Sequence, residues 1–386
     1  MPGRTILAMR FLRLLHSTSL VMIACVVGAC ALSTEQRVAR EERKVTFRTA
    51  GAAAATWSPE GSHFAVADQT SIWIFSAATL EEKSVLRSPS ALEGKRKYNL
   101  RYGWGNSVEF LGEDQIATSG MGASVTVWQV ESGQHLQSYN FTADAEFVVS
   151  LAYSAATATL AAGTSRGLVV LLRPSSDDSV QYLIGFNGIV HDLQFSADGQ
   201  YLGAVGSADE LLIWDLKDYS VFDRHPTPRR TMDIEKMGKP GQFLVAGETV
   251  EVWNFVDQKE SPVIAEPSLV GQNIVYATLM TISLLGGGGV GSGNDITVAC
   301  KRSVSVSPDD LMIADMHPGS IKEVIRIIDL ATQEVITTLN PRGGLTCGME
   351  FSPDGRFLLA VNSGGAHLYD TQTWQVKQIT PTKLPR

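Results

Sequence analysis

The sequence is poor in the residues from which metal sites and disulfide frameworks are built. Only four cysteines occur in 386 residues: Cys25, Cys30, Cys300 and Cys347. No Cys-x-x-Cys pair is present, and no two of the seven histidines lie at a spacing typical of metal ligands. We therefore expect neither a metal ion nor a cofactor.

Patterns typical of catalytic sites are also missing. No Gly-x-Ser-x-Gly turn is present. The glycine run Gly286–Gly289 is not followed by the Lys and Ser or Thr of a phosphate-binding loop. The Asp-Gly turns lack the alternating Asp and Asn ligands of a calcium loop. With no catalytic constellation in view, we expect a protein that is not an enzyme.

Basic residues are in the minority. The chain has 32 Lys and Arg against 40 Asp and Glu, which gives a net charge of −8, and it has no long basic stripe. An acidic surface repels phosphate backbones. Nucleic acid is therefore not among the partners that we expect.

Short apolar runs cut by turn residues fill most of the chain. Residues 188–219 contain three such runs, separated by Ser196–Gly199 and Gly206–Asp209. These runs are too short to form stable helices, and their β-branched and aromatic content favours successive antiparallel strands.

The same pattern recurs seven times when the apolar residue before the first turn is aligned with a later apolar or aromatic residue. The aligned pairs are Trp57 with Phe75, Phe110 with Trp128, Tyr153 with Leu171, Phe195 with Trp214, Met237 with Trp253, Val306 with Ile328, and Phe351 with Tyr369. The period is roughly 40–45 residues, as expected for four-stranded propeller blades. The pattern predicts an all-β, seven-bladed β-propeller over residues 44–386.

Turns and late aromatic-Asp pairs give the chain a resemblance to the WD40 repeat family. The turns begin at Ser58-Pro59, Ser307-Pro308 and Ser352-Pro353, and the pairs are Trp214-Asp215, Tyr369-Asp370 and the weaker Ile328-Asp329. Blades of that family usually carry a Gly-His pair, but the fourth blade has Gly185-Phe186 in its place. The resemblance therefore implies blades that depend on packing more than on buried polar contacts.

The N-terminus is expected to lie outside the propeller. Arginines precede an apolar run from Leu20 to Ala31, which is too short to span a bilayer with margin. The run ends Val27-Gly28-Ala29-Cys30, which resembles the signal of bacterial lipoproteins. That resemblance implies removal of residues 1–29 and acylation of Cys30. A plain secretory signal with an incidental cysteine is the alternative.

Several features follow from that signal. Acyl chains on Cys30 would hold the protein in a lipid bilayer, because each buried methylene contributes about 0.8 kcal/mol. By the sorting rule of bacterial lipoproteins, Ala31 implies the outer membrane, with the domain on its periplasmic face. Residues 30–43 include mixed charges and form either a solvated tether or a short amphipathic helix. Loss of residues 1–29 removes three arginines and no acid, so the net charge becomes −11.

Two cysteines would then remain in the folded part, at related places on neighbouring blades. Cys300 lies six residues before Val306, and Cys347 lies four residues before Phe351. An oxidising compartment allows a disulfide between them, and two buried thiols are the alternative.

Two long spacings between blades indicate insertions at residues 87–106 and 267–302. Each follows the last strand of one blade and precedes the first strand of the next, so both belong to the same face of the ring. The first contains Arg101, Tyr102 and Trp104, which are residue types favoured at interface hot spots. The second contains an apolar run that ends at Leu284 and Leu285. We predict partner contacts here; packing on neighbouring blades is the alternative.

Two functional hypotheses remain. The first is a lipid-anchored protein-protein interaction scaffold that binds an envelope protein or peptide. The second is a propeller hydrolase or small-ligand-binding protein that uses the central channel, with polar side chains from several inner strands converging there. His191, near the start of an inner strand, would be among them, although a satisfied strand histidine is the alternative.

Overall fold

The computed structural model describes residues 54–67, 71–87, 107–119, 123–141, 147–174, 180–228, 231–247, 249–264, 303–317, 324–341, 346–362 and 365–379. These residues lie within a compact unit, Ala50–Arg386, that is distinct from Met1–Thr49. They form strands and turns, with no helix.

The first four blades contain sixteen strands. Blade 1 comprises β1 (Ala54–Trp57), β2 (His63–Ala67), β3 (Ser71–Ser76) and β4 (Glu82–Arg87). Blade 2 comprises β5 (Val108–Phe110), β6 (Gln115–Ser119), β7 (Ser124–Gln129) and β8 (His135–Asn140). Blade 3 comprises β9 (Val148–Ser154), β10 (Thr159–Thr164), β11 (Val169–Leu172) and β12 (Gln181–Leu183). Blade 4 comprises β13 (Val190–Phe195), β14 (Tyr201–Gly206), β15 (Glu210–Asp215) and β16 (Ser220–Pro226).

The remaining three blades contain twelve strands. Blade 5 comprises β17 (Asp233–Lys236), β18 (Gln242–Ala246), β19 (Val250–Asn254) and β20 (Lys259–Ile264). Blade 6 comprises β21 (Val304–Val306), β22 (Met312–His317), β23 (Val324–Asp329) and β24 (Val335–Leu339). Blade 7 comprises β25 (Thr346–Phe351), β26 (Phe357–Asn362), β27 (Gly365–Asp370) and β28 (Val376–Ile379).

The seven blades form a closed ring. In each blade the four strands pair antiparallel in chain order. The first strand of every blade contacts the first strand of the next, and β25 contacts β1. This architecture confirms the predicted seven-bladed propeller. The C-terminal strand β28 is the outermost strand of blade 7.

The Ser-x-Asp-Gly turns are held by their own side chains. In blade 4, the Ser196 hydroxyl donates to Asp198 Oδ1 at 2.6 Å and accepts the Tyr201 amide at 3.0 Å. Gly199 completes the turn with φ of +70°, a conformation that costs a glycine little. Ser352 and Asp354 repeat these contacts in blade 7. Side-chain hydrogen bonding therefore fixes where the second strand begins.

Cross-strand register confirms five of the seven aligned pairs and corrects two by one residue. In blade 4, Phe195, Leu202 and Trp214 lie in one row. The corresponding row in blade 3 ends at Leu172, one residue beyond the predicted Leu171. In blade 5 the row begins at Lys236, one residue before the predicted Met237.

The hydrophobic core lies between blades. Leu212 and Trp214 of blade 4 pack against Leu171 and Leu183 of blade 3, whereas Ile213, the residue between them, packs towards blade 5. Because successive strand residues point to opposite faces, each blade needs both neighbours to bury its apolar side chains. A closed ring provides those neighbours for every blade.

Candidate functional site

Side chains in or next to the innermost strands join neighbouring blades at five of the seven junctions around the ring. Their hydroxyl or carboxylate oxygens accept backbone N–H groups from the first strand of the following blade. The bonds are Leu151 N to Ser107 Oγ at 3.0 Å, Ile234 N to Asp192 Oδ2 at 3.2 Å, Val304 N to Asp233 Oδ2 at 2.8 Å, Met349 N to Ser303 Oγ at 3.0 Å, Phe351 N to Ser305 Oγ at 3.0 Å, and Trp57 N to Glu350 Oε2 at 3.1 Å.

These bonds add polar contacts between blades to the packing that the sequence predicts. The missing Gly-His pair does not remove polar ties from the fold, because the inner strands provide a different set. The bond from Trp57 to Glu350 joins blade 1 to blade 7, so the same device closes the ring.

Carboxylates from several blades converge in the channel. Glu109, Glu235 and Glu350 lie in blades 2, 5 and 7, yet their charges interact. Asp192 of blade 4 and the ammonium group of Lys236 belong to the same electrostatic group. Interaction between blades that are not neighbours places these groups around one central space.

The channel raises the pKa of its acids. Burial, and next the Glu350 carboxylate, raise the pKa of Glu109 to about 8. Burial raises the pKa of Glu350 to about 7, although the hydrogen bond from Trp57 and the charge of Lys236 oppose the shift. Burial and the Glu350 charge also hold the pKa of Glu235 well above its ordinary value. At neutral pH the channel therefore contains carboxyl groups that retain their protons.

Two neighbouring aspartates, Asp192 and Asp233, are hydrogen-bonded to each other. Burial raises the pKa of Asp233 well above its ordinary value, and the charge of Asp192 adds to the effect. A hydrogen bond joins the two side chains, so the protonated Asp233 donates to Asp192. Each aspartate also accepts an amide of the next blade. The pair therefore links blades 4, 5 and 6.

Sequence reasoning missed these acids, and the aligned repeats contain a signal that could have found them. In each cross-strand row, one residue belongs to the innermost strand. The residue just before it in the chain lies on the opposite face of that strand. Glu109, Gln194, Glu235, Ser305 and Glu350 occupy that position. A polar residue recurring there indicates a channel wall.

His191, the predicted channel histidine, lies in an irregularity of β13. The register with β14 shifts between Val190 and Asp192, which leaves His191 between the two paired residues. Its side chain is half-buried and takes part in an interaction. Within the described ranges, no three His, Cys, Asp or Glu side chains are grouped so that they could hold a metal ion.

A shallow groove lies between blades 7 and 1, on the face that carries the Ser-x-Asp-Gly turns. Its volume is about 500 Å³, and Trp57, Phe357, Arg356 and Ser62 are among the residues that line it. His63 Nδ1 lies 2.7 Å from the Ser62 hydroxyl, as a nucleophile and base would. The Ser62 hydroxyl, however, donates to Glu113. A hydroxyl committed to a carboxylate is not activated by the imidazole, so this cluster is not a nucleophile–base pair.

A second surface feature is an exposed apolar area on the rim around blade 4, which we call the rim patch. It consists of Ile184, Tyr219, Val221, Phe222 and Val256, whose side chains are between 38% and 75% exposed. The patch crosses both faces of β16. On one face, Val221 lies beside the segment containing Ile184, because a Cβ on Gly185 would stand 3.5 Å from Val221 Cγ2.

Aromatic rings hold the other half of the rim patch in place. Phe222 makes edge-to-face contacts with Tyr201 at 4.9 Å and with Phe255 at 6.0 Å between ring centroids. Val256 follows Phe255 directly and is 63% exposed. These contacts fix Phe222 at the surface with almost half of its area facing solvent. Exposed apolar side chains grouped around one strand mark an interaction site more often than isolated exposed residues do.

The residues predicted from the sequence as partner contacts lie outside the described residues, namely Arg101, Tyr102, Trp104, Leu284 and Leu285. The same holds for the predicted lipidation site Cys30 and for Cys300. Cys347 lies in β25. No helix in the described part of the chain has the length and apolar character needed to cross a bilayer.

Comparison with known proteins identifies the fold. No family model and no curated protein matches the sequence. Many solved chains match the structure. One belongs to the crystal structure of a mitotic checkpoint complex, with a TM-score of 0.62 and 14% identity over 87% of this chain and 90% of that chain. At this identity the likeness shows a shared fold, the seven-bladed β-propeller that the WD40 resemblance implies.

Proposed function

We propose that this protein is a lipid-anchored, WD40-like propeller that acts as a protein-protein interaction scaffold in the bacterial envelope. The observation that carries the proposal is the rim patch, where large apolar side chains of three consecutive blades face solvent. A closed ring with buried inter-blade contacts presents such a surface without rearrangement. Preformed surfaces lose little conformational freedom on binding, which favours recognition of a partner.

The anchor is the acylated Cys30, and the site of action is the periplasmic face of the outer membrane. Its support is the sequence Val27-Gly28-Ala29-Cys30 together with Ala31. Mass spectrometry of the mature protein tests it: we expect an N-terminus at Cys30 carrying acyl chains. Cys30→Ala should leave the protein unprocessed. Mature protein that retains residues before Cys30 would contradict the anchor and leave the scaffold proposal standing.

Chemical crosslinking in intact cells, followed by affinity recovery, tests the scaffold. We expect a specific envelope protein or peptide to be recovered with the wild type and lost with the double variant Ile184→Ser, Val256→Ser. The matched control is Leu311→Ser, Val376→Ser, which removes exposed apolar side chains outside the patch. Equal recovery by both double variants would show that the rim patch does not bind the partner.

The two insertions remain a predicted second contact surface. Tyr102 and Trp104 are amphipathic aromatics beside Arg101, a combination favoured at the centres of interfaces. Tyr102→Ala with Trp104→Ala should reduce partner recovery while thermal unfolding remains unchanged. Unchanged recovery would mean that the partner contacts the rim patch and does not depend on Tyr102 and Trp104.

The convergence of channel carboxylates supports one alternative, a hydrolase or small-ligand-binding protein that uses the central channel. Protonated acids such as Glu109 are able to act as hydrogen-bond donors to a ligand. A turnover screen with a His191→Ala control tests this alternative. Turnover that is lost in His191→Ala would favour it over the scaffold.

A further inference from the structure

The outer strand of blade 4 has two properties that strand-pairing surfaces require. β16 spans seven residues, Ser220–Pro226, and is longer than the outer strand of every other blade. It pairs with β15 on one side, and none of the described strands pairs with its other edge. At that edge the Arg224 N–H already bonds to Asp223 Oδ1, the Ser220 N–H bonds to Asp218 Oδ1, and Pro226 has no N–H. A further strand would displace those side-chain contacts and pair with the backbone N–H and C=O groups that face away from β15.

Apolar side chains flank this edge on both faces of the sheet. Val221 pairs with Trp214 across the strands, whereas Phe222 is the extra residue at a register shift and points to the side of blade 5. An added strand would project alternate side chains to both faces. One set would meet Val221 and Ile184, and the other would meet Phe222 and Val256.

The surroundings of β16 are acidic. Residues 210–224 and 255–260 contain six carboxylates, namely Glu210, Asp215, Asp218, Asp223, Asp257 and Glu260. The same segments contain three cations, Lys217, Arg224 and Lys259, and Arg224 is already paired with Glu210 at 3.0 Å. This excess of negative charge attracts a basic partner. It disfavours a second copy of this chain, whose net charge is −8.

We propose that β16 binds an extended segment of a partner protein, rich in Lys or Arg and in β-branched residues, as a fifth strand of blade 4. The proposal rests on the scaffold function and names its mode of recognition. Main-chain hydrogen bonds give such binding its affinity, and side-chain contacts give its specificity. Here the apolar side chains of the rim patch select β-branched residues, and the nearby carboxylates select the basic ones.

A pair of synthetic peptides of about nine residues tests the proposal, one alternating valine with lysine and the other valine with glutamate. Binding of the lysine peptide should slow amide hydrogen exchange by about tenfold or more at those residues of Ser220–His225 whose N–H groups face away from β15, because those amides gain backbone partners. The glutamate peptide should bind at least about tenfold more weakly, and salt should narrow that difference. Equal binding of both peptides, or protection elsewhere, would overturn the proposal.

Phe222→Ser provides the side-chain test, and Ile336→Ser is its matched control. Both residues are the extra residue of an outer-strand register shift, and they are 45% and 50% exposed. We expect Phe222→Ser to weaken binding of the lysine peptide about tenfold. Ile336→Ser should change the affinity for that peptide less than about twofold. Val221→Ser replaces Phe222→Ser if thermal unfolding shows that the latter does not fold.

The outcomes separate this inference from the scaffold proposal. If the cellular partner is recovered equally with wild type and Phe222→Ser, strand addition at β16 is wrong and the scaffold stands. If neither recovers a partner, the scaffold itself is wrong. If sedimentation shows wild type dimerising, with loss of the dimer in Phe222→Ser, the occupant is a second copy and the proposal is overturned.

Discussion

Single residues of the inner strands have two physical consequences in this protein. Their oxygens accept hydrogen bonds from backbone N–H groups of the next blade, as Glu350 does from Trp57. Their burial also opposes ionisation, so acids such as Glu109 bind protons more tightly than they do in water. Inter-blade bonding therefore brings with it a dependence of stability on pH.

Replacing the channel acids should make the free energy of unfolding depend less on pH. The pKa of Glu109 rises from 4.5 to about 8 on folding, and that of Glu350 rises from 4.5 to about 7. Between pH 4.5 and those values the unfolded chain ionises first, so each group lowers the free energy of unfolding as pH rises. Denaturation of Glu109→Gln from pH 5 to 9 should show a smaller decline than wild type.

Glu113→Gln is the control for that experiment, with the opposite sign. Although burial opposes the shift, hydrogen bonds from Ser62 and the Glu60 amide lower the pKa of Glu113. Its contribution is therefore present above pH 4.5 and lost as pH falls. This variant should be less stable than wild type at pH 7 and converge with it in acid. A Glu109→Gln curve parallel to wild type would contradict the assignment.

Two buried indoles provide a second test at this scale. Trp214 Nε1 donates to the Ile184 carbonyl at 3.1 Å, whereas Trp73 Nε1 is buried without a hydrogen-bond partner in the described structure. Replacement by Phe deletes a bond in the first case and an unsatisfied donor in the second. Urea denaturation should show that Trp214→Phe costs about 1–3 kcal/mol more than Trp73→Phe. Equal costs would mean that the bond does not contribute.

At the scale of single elements, the turns were predictable from a few neighbouring residues, whereas the channel wall required comparison of all the repeats. Ser-x-Asp-Gly turns form through hydrogen bonds within the turn itself. Channel acids such as Glu109 are recognisable only from the polar position that recurs in the aligned repeats, and a register error of one residue hides Glu235. In blade 5, Lys236 occupies the row position that an apolar residue occupies in the other blades. The hydrophobic pattern therefore assigned that position to the buried Met237, one residue later.

Blade 3 illustrates another limit of pattern reading. Leu171 and Leu172 are both buried, because neighbouring blades cover both faces of β11. A strand buried on both faces has no alternation from which to fix the register. Only the pairing of Leu160 with Leu172 in the folded sheet decides between them.

Turn glycines allow a matched prediction for two equivalent hairpins. Gly199 and Gly355 both have φ of +70°, so alanine at either position should cost about 1–2 kcal/mol. A Cβ on Gly199 would also lie 2.7 Å from Ser154 Oγ, whereas one on Gly355 would meet Pro308 Cδ at 3.7 Å. The unfolding temperature of Gly199→Ala should therefore be lower than that of Gly355→Ala. Equal costs would show that turn strain, and not contact between blades, dominates, because the two glycines have the same φ.

For the whole molecule, the period of the repeat was sufficient to predict seven blades, because each four-stranded sheet must bury two faces against neighbours. The interaction surface was harder to predict. The sequence directed attention to the insertions with Tyr102 and Trp104, whereas the rim patch combines exposed residues of three consecutive blades, from Ile184 after β12 to Val256 after β19. The WD40 resemblance, at the level of turns and aromatic-Asp pairs, carries no information about partners.

Photo-crosslinking in intact cells tests the scaffold claim most directly. A benzophenone amino acid would replace Ile184, which is 75% exposed within the rim patch, or Leu311, which is 57% exposed outside it. We predict a discrete crosslinked species from position 184 and none from position 311. Absence of a species from position 184, or identical species from both positions, would contradict the claim that this rim binds a partner protein.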